Sequence, residues 1–191
     1  MEGCWNDVSG ASYPIEGLIL DQDGSTSRIY HDPVRYHLYA DCNFSGQGSE
    51  TTSSRVSLEV KRGSTVVYSA NDIKDSEGCL DHTFDISGGT PDEYKIEIHG
   101  GNALGVDSFS LDRYGDAYKT WGANGGGGWC FSNYSEHDCW SDVKNANFPN
   151  LGVTLNEDGS ADRIRFSRGT DCKRDGACSS LNCAGTPKKC Q

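Results

Sequence analysis

Two short stretches of this chain carry oxygen ligands at a spacing that suits a hard cation. Asn156, Asp158 and Asp162 stand as N-x-D-G-x-x-D, and an earlier copy offers Asp21 and Asp23 with Ser25 and Ser27. Ca²⁺ takes about six to eight oxygen donors, and alternate residues of a tight loop converge on one point. Asn156, Asp158, Asp162, Asp21 and Asp23 are therefore the candidate metal ligands, and Ca²⁺ is the candidate cofactor. The competing reading is a plain turn. Asp-Gly between apolar runs marks a hairpin, because the tight turn needs positive φ. An EF-hand loop does not fit, since the glycine comes too early and the closing Glu is missing.

A second set of residues suits stacking. Trp121 to Trp140 holds three of the four tryptophans, with Phe131, Tyr134, Cys130, Cys139 and the glycine run 125–128. Consecutive glycines give neither a helix nor a packed strand, because they lose backbone entropy and bury no side chain. Aromatic rings framing such a loop can stack on the C–H faces of a sugar, while amide and acidic groups bind its hydroxyls. Trp121, Asn124, Trp129, Tyr134 and Trp140 are the candidate ligand-binding residues. The competing reading is a loop pinned by a bridge such as Cys130–Cys139 that plugs one end of a small core.

Signals for catalysis are poor. There is no G-x-S-x-G, H-E-x-x-H or P-loop pattern, and the five histidines are scattered. Carboxylates are abundant, so a glycosidase pair can always be assembled on paper and means nothing without geometry. A hydrolase is the weakest of three readings, and no catalytic residue is assigned.

Nine cysteines in 191 residues point to disulfides and an oxidising compartment, hence a secreted protein. No C-x-x-C pair supports zinc. Nine is odd, so one sulfur is left for a free thiol or a bridge to a second chain, with Cys4 and Cys190 the candidates nearest the ends. The start, Met1-Glu2-Gly3-Cys4-Trp5, has no apolar signal region, which fits a mature chain with an added methionine. Sequons at Asn43-Phe-Ser45 and Asn133-Tyr-Ser135 suit surface loops of a glycoprotein.

Net charge is −11, which argues against nucleic acid and anionic membranes as partners. From residue 161 onward seven Lys/Arg face three Asp, a net +4, which leaves −15 for the body. No apolar run reaches the length of a membrane span. With 35% apolar residues and a mean hydropathy of −0.63, the core must be thin and bridges must assist it.

The elements that position these groups are strands. Val34, Tyr36, Leu38 and Ala40 share one phase, Arg55 to Val60 alternates, and Tyr94, Ile96 and Ile98 do the same. Short alternating runs about every ten residues, separated by glycine turns, predict an all-β fold. The expected fold is a disulfide-stapled antiparallel β-sandwich, one large or two small, with negligible helix. Its divisions are an arm over 1–13, a β-sandwich unit over 14–114, a second unit or completion of the sandwich over 115–170, and a cysteine-rich tail over 171–191. Leu20 to Ile29 and Leu155 to Ile164 share six of ten positions. A two-residue Asp-Gly turn in each would set Leu18 opposite Ile29 and Val153 opposite Ile164.

Together these features predict a secreted, non-catalytic binding module for carbohydrate or another extracellular surface. The alternative is a structural or protein-interaction component of an extracellular assembly such as a matrix, a biomineral or a secreted effector complex. Its partner would be an extracellular protein, engaged through the odd cysteine or through opposite charges on body and tail.

Overall fold

The computed structural model describes residues 15–20, 24, 26–30, 33–42, 55–75, 79–99, 104–122, 128–131, 149–172 and 175–191; over 15–20 and 26–30 it describes the backbone. The described residues form antiparallel sheets with no α-helix, and one short 3-10 turn lies at Asp175–Ala177.

Period-two alternation explains each long strand. In β3 (Val34–Cys42) Tyr36 and Leu38 point inward and are buried. In β4 (Arg55–Arg62) Val56, Leu58 and Val60 do so, and in β7 (Glu93–His99) Tyr94, Ile96 and Ile98. The intervening residues are polar and face outward, so each strand can close only one side of a core. The hairpin β1 (Ile15–Leu20) and β2 (Thr26–Tyr30) forms a separate two-stranded sheet.

Two sheets then pack on a shared core. The first joins β3 to β6 (Asp81–Ile86) on one side and to β8 (Leu104–Arg113) on the other. The far edge of β8 is shared. Its C-terminal half pairs with β9 (Asp116–Trp121), and its start pairs with β10 (Trp129–Phe131). A parallel partner, β11 (Pro149–Asn150), ends this sheet. In the second sheet β4 lies between β5 (Thr65–Asn71) and β7, followed by β12 (Gly152–Asn156) and β13 (Ala161–Ile164). One contiguous cluster of buried residues draws on both sheets. Ring contacts cross between them, with Tyr94 against Trp121 and Tyr68 against Phe84. Residues 116–164 thus add strands to both sheets of one sandwich rather than enclosing a second core among the described residues.

The hairpin register differs from the two-residue turn expected from Asp-Gly. Leu155 pairs with Ala161 and Val153 with Arg163, so Ile164 faces Gly152 instead. The Asn156 amide donates to the Ser160 carbonyl and the Gly159 amide to the Asn156 carbonyl. This is a three-residue connection with Gly159 at φ +92, the bulged alternative to the tight turn. The β1–β2 hairpin has the same offset, with Leu20 opposite Thr26, Leu18 opposite Arg28 and Ile29 opposite Gly17. The sequence echo is therefore an echo in backbone pairing as well.

The tail is ordered by covalent links. Cys172–Cys183 and Cys178–Cys190 bridge it, and β14 (Cys183–Ala184) pairs with β15 (Lys189–Cys190). Hydrogen bonds from Phe166 to Ala177 and from Ser179 to Phe166 attach it to the chain leaving β13. Cys42–Cys79 links the end of β3 to the segment before β6, and Cys130 is also disulfide-bonded. Cys190 is therefore not the odd sulfur: its neighbour across the tail, Cys178, consumes it. Cys4 and Cys139 lie outside the described residues.

Candidate functional site

Trp121 and Trp129 do not form a stacking platform. They are 1% and 7% exposed, and both belong to the core cluster. Trp121 sits opposite Phe109 on β8 and packs on Tyr94 of the second sheet, and its indole N–H donates to the Asn156 carbonyl. Trp129 packs against Phe109. A thin sandwich gains most by burying its largest rings, and here both indoles fill the space between the sheets. Asn124, Tyr134 and Trp140 lie outside the described residues, as do Asp21, Asp23 and both sequons.

The second candidate loop keeps its oxygens close, and it uses them internally. Asp158 Oδ1 accepts from the Ser160 amide at 2.8 Å and from the Ser160 hydroxyl at 2.6 Å. Those two bonds hold Asp158 below the usual carboxylate range. The Asn156 side-chain amide donates to Ser160 Oγ at 2.9 Å and to Asp162 Oδ2 at 3.2 Å. Asn156, Asp158 and Asp162 are thus gathered around one turn, with Ser160 at its centre. The turn is fastened to β9 from the other side. Tyr118 donates to Glu157 Oε1 at 2.6 Å, and Lys119 bonds the Glu157 carbonyl and pairs with its Oε1 at 3.1 Å. Burial, and then the Glu157 hydrogen bond, push the Tyr118 hydroxyl up to about 12.

The three sulfurs of Cys172, Cys178 and Cys183 lie within 4.8 Å of one another. All three are in disulfides, which leaves no thiolate for a metal.

Strand pairing assembles one further group that the linear order of the chain hides. The outward phase of β3 carries His37, Tyr39 and Asp41. Register sets Tyr39 beside Asp81 of β6 and Ser110 of β8, and His37 beside Asp112. The His37 and Tyr39 rings stack at 4.9 Å between centroids. His37 Nε2 lies 2.8 Å from Asp81 Oδ1, and its Nδ1 lies 3.8 Å from Asp112 Oδ2. Ser110 and Thr120 add hydroxyls 3.4 Å apart. This face combines a stacked aromatic pair, carboxylates and hydroxyls on one side of the sheet.

The outer face of the second sheet carries charges that pair among themselves, as Arg35 and Asp85 do on the first. Lys61 meets Glu59 and Glu93, and Lys95 meets Glu97. Ser57 Oγ lies 3.0 Å from His99 Nε2, yet Glu97 approaches the same nitrogen at 3.7 Å. A Ser-His-acid triad needs the carboxylate on the opposite ring nitrogen, so this trio is not arranged for proton relay.

The alternation of β3 shows that His37, Tyr39 and Asp41 share a phase. Which strands flank them is set by pairings from Tyr39↔Asp81 to His37↔Asp112, far apart in the chain, and no local pattern encodes those. No family model, curated protein or solved structure matches the chain.

Proposed function

We propose that the chain is a secreted, non-catalytic binding module whose ligand is a carbohydrate held on the outer face of the six-stranded sheet. The observation that carries this reading is the Tyr39–His37 stack flanked by Asp81, Asp112 and Ser110. Aromatic rings engage the apolar faces of a pyranose, and carboxylates and hydroxyls take its hydroxyl protons. Asn124, Tyr134 and Trp140 remain candidate contacts from the glycine-rich segment. Calcium at Asn156, Asp158 and Asp162 would assist by stiffening the turn beneath β9. The disulfides favour an oxidising, extracellular setting, where Asn43 and Asn133 are glycan acceptors.

The test is titration of the folded protein with a panel of soluble oligosaccharides, followed by amide NMR shifts. Shifts confined to β3, β6 and β8, lost in Tyr39→Ala, support the reading. No shift at millimolar sugar, or equal binding by Tyr39→Ala, sinks it.

A second reading is favoured by one observation: the acidic residues Asp41, Asp81 and Asp112 share a face, while Lys188 and Lys189 lie in the tail. Contacts between copies, or with an extracellular protein, would pair these charges in an assembly. Light scattering at low and high salt separates the two, since a monomer throughout removes self-assembly.

A further inference from the structure

The echo between the two hairpins reaches further back than their turns. Residues 4–29 align on residues 139–164 without a gap, and 13 of the 26 positions are identical. The matches include Cys4 with Cys139, Trp5 with Trp140, Pro14 with Pro149 and Gly17 with Gly152. The backbone agrees: the pairs from Leu20↔Thr26 to Gly17↔Ile29 repeat those from Leu155↔Ala161 to Gly152↔Ile164 one for one.

The two copies differ in what lies beside them. β12 pairs with β13 on one side and with β7 on the other, from Gly152↔Glu97 to Asn156↔Glu93. β1 pairs with β2 in a sheet of two strands. A two-stranded hairpin is marginal by itself in water. A glycine inside a strand weakens it further, and is found where another backbone comes close. At Gly152 that backbone is β7, since a Cβ would lie 2.4 Å from the Ile96 carbonyl. Gly17 holds the same register position with no third strand beside it among the described residues. The β7 of this chain is already taken on both edges, by β4 and by β12.

We propose that β1–β2 is the closing hairpin of a second sandwich of this kind, and that β1 lies along that unit's β7 edge as β12 does here. The partner is a further copy of the sandwich unit with its β7 uncovered. Main-chain hydrogen bonds supply the affinity of such strand addition, and the glycine admits the close approach. The interface uses neither the outer face of the six-stranded sheet nor the charges of the tail, so it stands apart from both functional readings.

The test uses the full chain as its own partner. Gly152→Val drives a side chain into the Ile96 carbonyl and frees β7. Faster hydrogen exchange of the Ile98 amide, which donates to the Leu151 carbonyl, reports that opening. The variant should then elute as a dimer or larger at low and high salt, and adding Gly17→Val should return it to monomer. A monomer with a fast Ile98 amide, or association that survives Gly17→Val, overturns the proposal. A second measurement decides if Gly152→Val fails to fold or to open. The wild-type chain, its disulfides intact, is refolded from urea with excess synthetic peptide of residues 4–30 carrying Cys4→Ser. The chain should retain this peptide on gel filtration and reject the same peptide with Gly17→Val. No retention, or equal retention of both peptides, overturns the proposal.

Discussion

At Gly122 the backbone has φ +94, and a Cβ placed there would lie 2.0 Å from the Trp129 ring and 3.2 Å from the Asp107 carbonyl. The indole therefore rests on a glycine surface, and any side chain must lift it from the core. Gly122→Ala is expected to lose about 3 kcal/mol of stability, from strain at positive φ and overpacking together. Urea unfolding followed by tryptophan fluorescence checks this, and the folded-state emission should shift as well. His82 behaves differently. Burial lowers its pKa from the usual 6.5, and Tyr68 hydroxyl lies 2.7 Å from its Nε2. A depressed pKa means that the folded state resists protonation. Stability is thus full above about 6.5 and is lost as pH falls through the lower folded value. The urea midpoint should drop between pH 7 and 5, and His82→Gln should flatten that drop. Neither effect is legible locally. Sequence shows a glycine after a tryptophan and a histidine in a strand, but not which ring or hydroxyl lies against each.

The β12–β13 turn is where local sequence speaks most directly, and where it also misleads by one residue. Asn156-Glu-Asp-Gly-Ser160 announces a turn, and a turn is present. Its length is decided by Gly159 at φ +92 and by the Asp158–Ser160 bonds, which favour a bulged three-residue connection. A slip of one residue moves Ile164 from beside Val153 to beside Gly152. On its other side Gly152 lies tight against β7, where a Cβ would lie 2.4 Å from the Ile96 carbonyl. Gly159 has open space around it, so Gly159→Ala carries backbone strain alone, about 1 kcal/mol. Gly159→Asn should cost less, because asparagine tolerates the left-handed region. If the turn takes Ca²⁺, millimolar Ca²⁺ raises the melting temperature by mass action, and Asp158→Asn with Asp162→Asn removes the rise. The same melting temperature in Ca²⁺ and in EDTA returns the loop to a plain turn.

Among the described residues, the all-β class, the negligible helix and the bridged tail follow from alternation, glycine turns and cysteine density, all of which are local or compositional. The fate of the tryptophans does not. Trp121 and Trp129 are buried because β9 and β10 both lie on β8, and a scan of neighbouring residues cannot see that pairing. Covalent links add to the thin core: Cys42–Cys79 spans 37 residues. Replacing both by alanine should cost about 4 kcal/mol on the chain-entropy account, read as a lower urea midpoint. The tail bridges span 11 and 12 residues, so each should matter less. The shared edge of β8 carries one more consequence. Trp121 faces Phe109 and Trp129 faces Val106, so both ends of the glycine-rich connection are moored within a few residues of one strand. Loop closure grows only slowly costlier with length. This makes the connection a natural splice point, where descendants of this chain can lengthen, shorten or exchange the intervening residues while the scaffold stays still.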